Sequence, residues 1–183
     1  IKHYYNYLHN IGLVQENPTS NVQIKGVKRK ILHNVFNKQE LEKLYNDYKN
    51  LERESPATKR NEIILSLLIY QGLNTTELSR LTIEDIKLRE GKIFINGTRR
   101  SNERTLKLEA HQILDIMEYQ LKIRQEILTE VGKETDELFV SFSKGKTNMS
   151  NILRKLLQQL KKLNKKVTTV NQIRTSVITQ WLK

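Results

Sequence analysis

Gln71-Gly72-Leu73-Asn74-Thr75-Thr76-Glu77-Leu78-Ser79-Arg80-Leu81-Thr82-Ile83-Glu84-Asp85-Ile86 is the stretch whose reading decides this fold. It follows Ile63, Ile64, Leu67 and Leu68, whose spacing marks a buried helix that ends at Gly72. Asn74 and Glu77 have capping-box spacing: the first side chain accepts from the second residue's backbone N–H, and the second side chain reaches back. A short helix therefore opens at Asn74 and runs through Leu81. A further short element covers Thr82 to Ile86. By spacing alone Asn74 is an N-cap, and Glu77 and Asp85 are cap and local hydrogen-bond partners, not acid/base groups.

Downstream, Lys92-Ile93-Phe94-Ile95, then Asn96-Gly97, then Arg104 to Leu108 read as a β-hairpin with a wide loop, because Asn-Gly readily takes the positive φ of such turns. The tip carries Thr98, Arg99, Arg100 and Arg104. A helix from Glu109 to Leu128, a strand from Leu138 to Ser141, a basic helix from Asn148 to Leu163 and a last helix from Val170 follow. Upstream, Asn37 and Glu40 repeat the capping spacing, and Leu41, Leu44, Tyr45 and Tyr48 continue a helical stripe. Ile1 to Leu13 reads as the end of another helix. Between the two lies Glu16-Asn17-Pro18-Thr19-Ser20 and a stretch with Lys25, Lys28, Arg29 and Lys30 and no acid. The expected organisation is a helical end at 1–15, a basic linker at 16–36 and a main domain at 37–183. The fold class is mainly α with a small β-hairpin or short sheet (α+β).

The 183 residues carry 32 Lys and Arg against 20 Asp and Glu, a net charge of +12, and no cysteine. A disulfide-stapled mini-protein, a thiolate metal site and a Cys nucleophile are excluded. Residues 138–183 hold ten basic and no acidic residues, whereas 37–137 are nearly balanced. Ile152, Leu153, Leu156, Leu157, Leu160 and Leu163 recur at helical spacing within that basic block, so it is a folded helix with an apolar and a basic face. Such a block is the electrostatic footprint of a surface that follows a polyanion, since each phosphate neutralised releases counterions. The longest apolar run, Ile63 to Tyr70, is far short of the roughly 20 residues that span a bilayer, so a cytoplasmic protein without membrane contact is expected. The chain opens on Ile1, not Met, and an upstream segment is expected. His3, His9, His33 and His111 have no common metal spacing, so neither a metal nor a cofactor is expected. Trp181 is expected in the core.

The order of these pieces carries a resemblance. Gly72-Leu73-Asn74 followed by Glu77-Leu78, Leu81 and Asp85-Ile86 resembles the first motif of tyrosine recombinases, the phage integrase family, which reads Gly-Leu-Arg-x-x-Glu-Leu. The hairpin Ile93 to Leu108 matches that family's hairpin. Val170-Asn171-Gln172-Ile173-Arg174-Thr175 is similar to its His-x-x-Arg-His motif, and the N-terminal helix with its basic linker resembles the end of its core-binding domain. The resemblance implies a recombinase catalytic-type domain. It also implies DNA cleavage by a Tyr hydroxyl on a backbone phosphate, with two Arg and a His on the non-bridging oxygens and a hairpin Lys as proton donor, without metal or nucleotide.

Position by position, Arg174 matches the second Arg. Asn74 stands at the first Arg position, Thr98 at the Lys position and Asn171 at the His position. An amide brings neither positive charge nor a bidentate fork, and a guanidinium such as Arg99 or Arg100 is a poor proton donor. The resemblance places the nucleophilic Tyr past Lys183. The leading expectation is therefore a duplex-DNA-binding recombinase relative from a phage or other mobile element, involved in DNA integration or recombination, whose strand cleavage by this chain is not expected. DNA contacts are assigned to Lys25, Lys28, Arg29, Lys30, Arg99, Arg100, Arg104, Lys144, Lys146, Arg154 and Lys155. The hairpin-tip arginines also fit a solvated loop, and Arg174 also fits a structural role. One rival keeps the enzyme, with a Tyr beyond Lys183 and Asn74 assisted by Arg80 or Arg100. Another is a non-catalytic architectural or regulatory DNA binder on the same fold, pairing with a second copy or with an active recombinase.

Overall fold

The structure is a computed structural model that describes residues 2–21, 34–51, 55–98 and 101–182. The chain divides into two compact units, Ile1–Ile31 and Leu32–Lys183. In the first, α1 (Lys2–Asn10) is followed by turns, and Asn17 donates through Nδ2 to Asn6 Oδ1 at 2.6 Å.

The second unit is built on α3 (Pro56–Tyr70), with Pro56 in its first turn and Ser55 as N-cap, accepting from Thr58 N. Ile64, Leu65, Leu67 and Leu68 of α3 are fully buried, as expected of a helix that is apolar all round. Around it pack α2 (Lys38–Lys49), α5 (Ala110–Glu118), α6 (Arg124–Val131) and α8 (Val170–Trp181), while α7 (Met149–Leu163) meets α2 and the short α4 (Thr75–Arg80). A three-stranded antiparallel sheet, β1 (Ile86–Lys87), β2 (Lys92–Ile95) and β3 (Arg104–Lys107), completes the unit, in the order β1-β2-β3 with Ile95 opposite Arg104. The fold class is thus mainly α with a small sheet.

Polar ties fix the helices to one another. Lys49 Nζ lies 3.3 Å from Glu62 and 2.8 Å from Asp115, joining α2, α3 and α5. Gln71 and Gln112 exchange amide hydrogen bonds at 2.8 and 2.9 Å, and Gln112 donates on to Ser66 Oγ. The segment before α2 is bound to α8: Gln172 Nε2 donates to Asn34 O, Phe36 N to Ser176 Oγ and Gln180 Nε2 to Phe36 O.

Three local expectations are corrected. The expected strand Leu138 to Ser141 is instead an irregular stretch, buried at Leu138–Val140, that follows a single bridge between Thr82 and Glu137. Its carbonyls are taken by side chains, Tyr119 Oη donating to Leu138 O at 3.0 Å and Arg60 Nη1 to Val140 O at 2.7 Å, so no ladder forms. The helix expected from Glu109 to Leu128 contains a π turn at Tyr119–Ile123 and ends at Val131. That turn is flanked by two buried side chains, Tyr119 and Arg124, the latter donating to the carbonyls of Thr135 and Glu137. Gly97 does not take a positive φ. It is needed because the backbone folds back on it: a Cβ there would lie 3.2 Å from Glu103 N. The reversal is made by Thr98 and Ser101, which exchange backbone hydrogen bonds at 2.7 and 3.2 Å.

The Gln71–Ile86 stretch forms its two expected caps, and both cap carboxylates reach further. Glu77 accepts from Asn74 N at 2.9 Å and binds Arg104 Nη1 at 2.8 Å, at the start of β3. Asp85 accepts from Thr82 N at 2.8 Å and from Asn96 Nδ2 at 3.0 Å, just past β2. Each strand of the hairpin is thereby tied to the stretch before it. Burial pushes the Glu77 carboxyl up, but the hydrogen bonds from Arg104 and Asn74 and the charges of Arg104 and Arg174 outweigh it and hold the group below its ordinary value of 4.5.

Truncating the fully buried Leu68 to Ala is expected to cost about 3 kcal/mol, lowering Tm by roughly 9 °C at about 3 °C per kcal/mol in a domain of this size. Leu114→Ala, at a side chain 65% exposed, should leave Tm nearly unchanged in the same calorimetric scan. Glu77→Gln keeps the cap acceptor and loses the ion pair, at a cost of about 2 kcal/mol at neutral pH. Because the folded pKa is lowered, the charged form stabilises the protein above the unfolded value near 4.5, and that contribution is lost as pH falls through the folded value. The gap between native and Glu77→Gln stability, from urea titrations between pH 7 and pH 3, should therefore shrink on the acid side.

Candidate nucleic-acid interface

Asn74, Thr98 and Arg174 lie far apart in sequence, yet they line one open concavity of about 600 Å³ together with Thr75, Thr76, Arg80 and Ser101. The capped stretch supplies Asn74 through Arg80, the hairpin turn supplies Thr98 and Ser101, and α8 supplies Arg174. Gly72 couples two of these pieces. With φ near +60° it ends α3, and its carbonyl accepts from Arg174 Nε at 2.9 Å. A Cβ at Gly72 would also meet Trp181 Cη2 at 3.3 Å. That contact corrects the expectation that Trp181 sits in the core. The indole is 56% exposed and only its ring edge packs down, because it lies in the last turn of α8, beyond the buried Ile173, Ser176 and Val177.

Asn171 is exposed one turn before Arg174 on α8 and does not line the concavity. Arg104 lies at its edge in sequence but is engaged by Glu77, its side chain 30% exposed. The Asn74 side chain accepts from Glu77 N at 2.9 Å, so its carbonyl oxygen is used by the cap and its amide donors remain for a ligand. None of Tyr45, Tyr48, Tyr70 and Tyr119, the tyrosines of the second unit, lines the concavity. Tyr48 and Tyr119 are buried, and burial above all pushes both phenols up to about 12.

A second concavity of about 470 Å³ adjoins the first, sharing Thr75, Thr76 and Arg80, and is lined also by Lys146, Thr147 and Ser150. The described residues lining the two are cationic, hydroxylic, amide or apolar, and none is acidic. Lys144, Arg154 and Lys155 are exposed nearby in sequence, the last two on the polar face of α7. Lys25, Lys28, Arg29, Lys30, Arg99 and Arg100 lie outside the described residues. Ser101, Thr75 and Thr76 were not legible as site residues, because a lone hydroxyl residue has no periodic or spacing signal. Among the described residues no cluster of His, Asp and Glu fit to hold a metal ion occurs, and no helix is long and apolar enough to cross a membrane.

An arrangement of two guanidinium groups, an amide and hydroxyl groups without a carboxylate can bond the non-bridging oxygens of a phosphate. The phage integrase family model matches residues 34–183. Tyrosine recombinase XerC of Lactobacillus leichmannii is 26% identical over 160 residues, covering 87% of this chain and 52% of that protein, so the chain spans about half the length of this relative. Among solved structures, the XerH site-specific recombinase bound to palindromic difH substrate in a post-cleavage complex superposes with a TM-score of 0.69 at 19% identity, over 97% of this chain and 52% of that one. The Tn1549 transposon integrase in complex with circular intermediate DNA superposes with a TM-score of 0.62 at 13% identity, over 99% and 63%. With its hairpin, its capped motif and its α8 arginine converging on one concavity, the chain belongs to the phage integrase family.

Proposed function

We propose that this chain is a cytoplasmic duplex-DNA-binding member of the family that acts in the integration or recombination of a mobile element, and that it does not itself cut the strand it holds. The observation that carries the reading is the concavity lined by Arg80, Arg174, Asn74, Thr98 and Ser101, with no acidic side chain among its described residues. Residues 1–15 close a helical core-binding domain and 16–36 form a basic strap along the duplex. The hairpin-tip cations Arg99, Arg100 and Arg104 and the polar face of α7, with Arg154 and Lys155, extend the grip, as do Lys144 and Lys146. The DNA-bound XerH complex and the transposon integrase complex support a DNA partner and a mobile-element setting. Binding a second copy or an active recombinase on the same DNA fits this family setting.

The non-cleaving part of the reading rests on charge. Phosphoryl transfer is mostly positioning and charge stabilisation, and loss of one preorganised donor costs about 3 kcal/mol. Asn74 and Thr98 leave two such positions uncharged.

Fluorescence anisotropy with a labelled duplex should give a log Kd that rises with log salt at a slope of several units, reduced by about one in Lys155→Gln and in Arg99→Gln. Affinity independent of salt would overturn the DNA-binding reading. A suicide duplex bearing a nick next to a phosphorothiolate should yield no covalent protein–DNA adduct on a denaturing gel. An adduct would restore the enzyme.

A further inference from the structure

Arg80 differs from the other arginines around it. Arg60, Arg104, Arg124 and Arg174 each donate to a carbonyl or carboxylate of the fold. Arg80 is exposed at the end of α4, and no hydrogen bond or ion pair ties its side chain to the described residues. An exposed arginine is ordinarily just solvated. This one is the cation that lines both of two adjoining concavities, of about 600 and 470 Å³, each of which has a further cation in its lining, Arg174 in one and Lys146 in the other.

The chemistry of the walls selects the ligand. Both concavities are open, lined by cations, hydroxyls, the amides of Asn74 and Asn148 and the apolar Met149, and free of acidic side chains among the described residues. Tetrahedral oxyanions fit that donor set, whereas a cation or an apolar group does not. A planar guanidinium presents five N–H donors in a rigid fork, so one arginine can bond two anions on its two sides, which an ammonium group does as a point charge only. Two adjoining anion sites that share Thr75, Thr76 and a single cation, Arg80, match a ligand with phosphates in series.

We propose that Arg80 is the shared wall of a two-phosphate track. It bonds one backbone phosphate in the concavity of Arg174 and the next phosphate of the same DNA strand in the concavity of Lys146. This rests on the DNA-binding reading and adds to it the path of one strand across the surface. It also makes Arg80 the group that couples the two sites, with Arg174 and Lys146 each acting on one phosphate.

The test is a pair of double-mutant cycles on the full chain, with Kd for a labelled duplex measured at several salt concentrations. Arg80→Gln, Arg174→Gln and Lys146→Gln should each weaken binding by roughly three- to tenfold and lower the salt slope by about one. The Arg80/Arg174 and Arg80/Lys146 double variants should lose clearly less than the product of their single losses, because each pair shares a phosphate, while Arg174/Lys146 losses should multiply. Arg174 also holds Gly72, so each variant is checked by thermal melting; if Arg174→Gln does not fold, the cycle between the exposed Arg80 and Lys146 decides. Native affinity in Arg80→Gln, or losses that multiply in both Arg80 pairs, would overturn the track while leaving salt-dependent binding of the native chain in place. Absence of salt-dependent binding by the native chain would overturn both readings.

Discussion

The geometry of this surface depends on two carboxylates that each do two jobs. Glu77 and Asp85 close the caps of the stretch they belong to and, with a remaining oxygen, hold the two strands of the hairpin through Arg104 and Asn96. A hairpin attached only by its own ladder would be free to splay from the helices. Here its turn is set beside α4, so that Thr98 and Ser101 face Arg80 and Arg174. Because Glu77 is buried and ionised, its partner must stay: a buried charge without a counterion is costly.

The same economy explains which cations belong to the fold and which to the surface. Arg60 and Arg124 are buried and meet backbone carbonyls, not acids. Arg60, with Tyr119, takes carbonyls of the 138–140 segment, and Arg124 takes those of Thr135 and Glu137 just before it. Arg174 is divided, its Nε engaged by Gly72 while the residue lines the concavity. Positive charge is therefore not uniformly available on a +12 chain. What remains for a ligand sits where no carboxylate competes.

Much of this was legible from residues alone. The caps at Asn37 and Asn74, the buried α3, the hairpin and the basic amphipathic α7 follow from local spacing, which acts over a few residues and survives folding. The errors share a cause. The 138–141 segment has the residues of a strand, but strand character needs a partner edge, and Tyr119 and Arg60 took the carbonyls first. Trp181 has the composition of a core residue but lies beyond the last buried turn of α8. Asn96-Gly97 has the signature of a positive φ, yet Gly97 does not take one, because the hairpin reverses at Thr98 and Ser101.

By itself the sequence determined the helices, the hairpin, the charge layout and the kinship with integrases, since periodicity, capping and motif order are local properties of the chain. Tertiary structure alone decided which residues share a concavity and which arginines are engaged. Glu77 meets Arg104 across 27 residues and Arg174 meets Gly72 across 102. Contacts over such distances are selected by how whole helices pack, and no spacing rule along the chain encodes them.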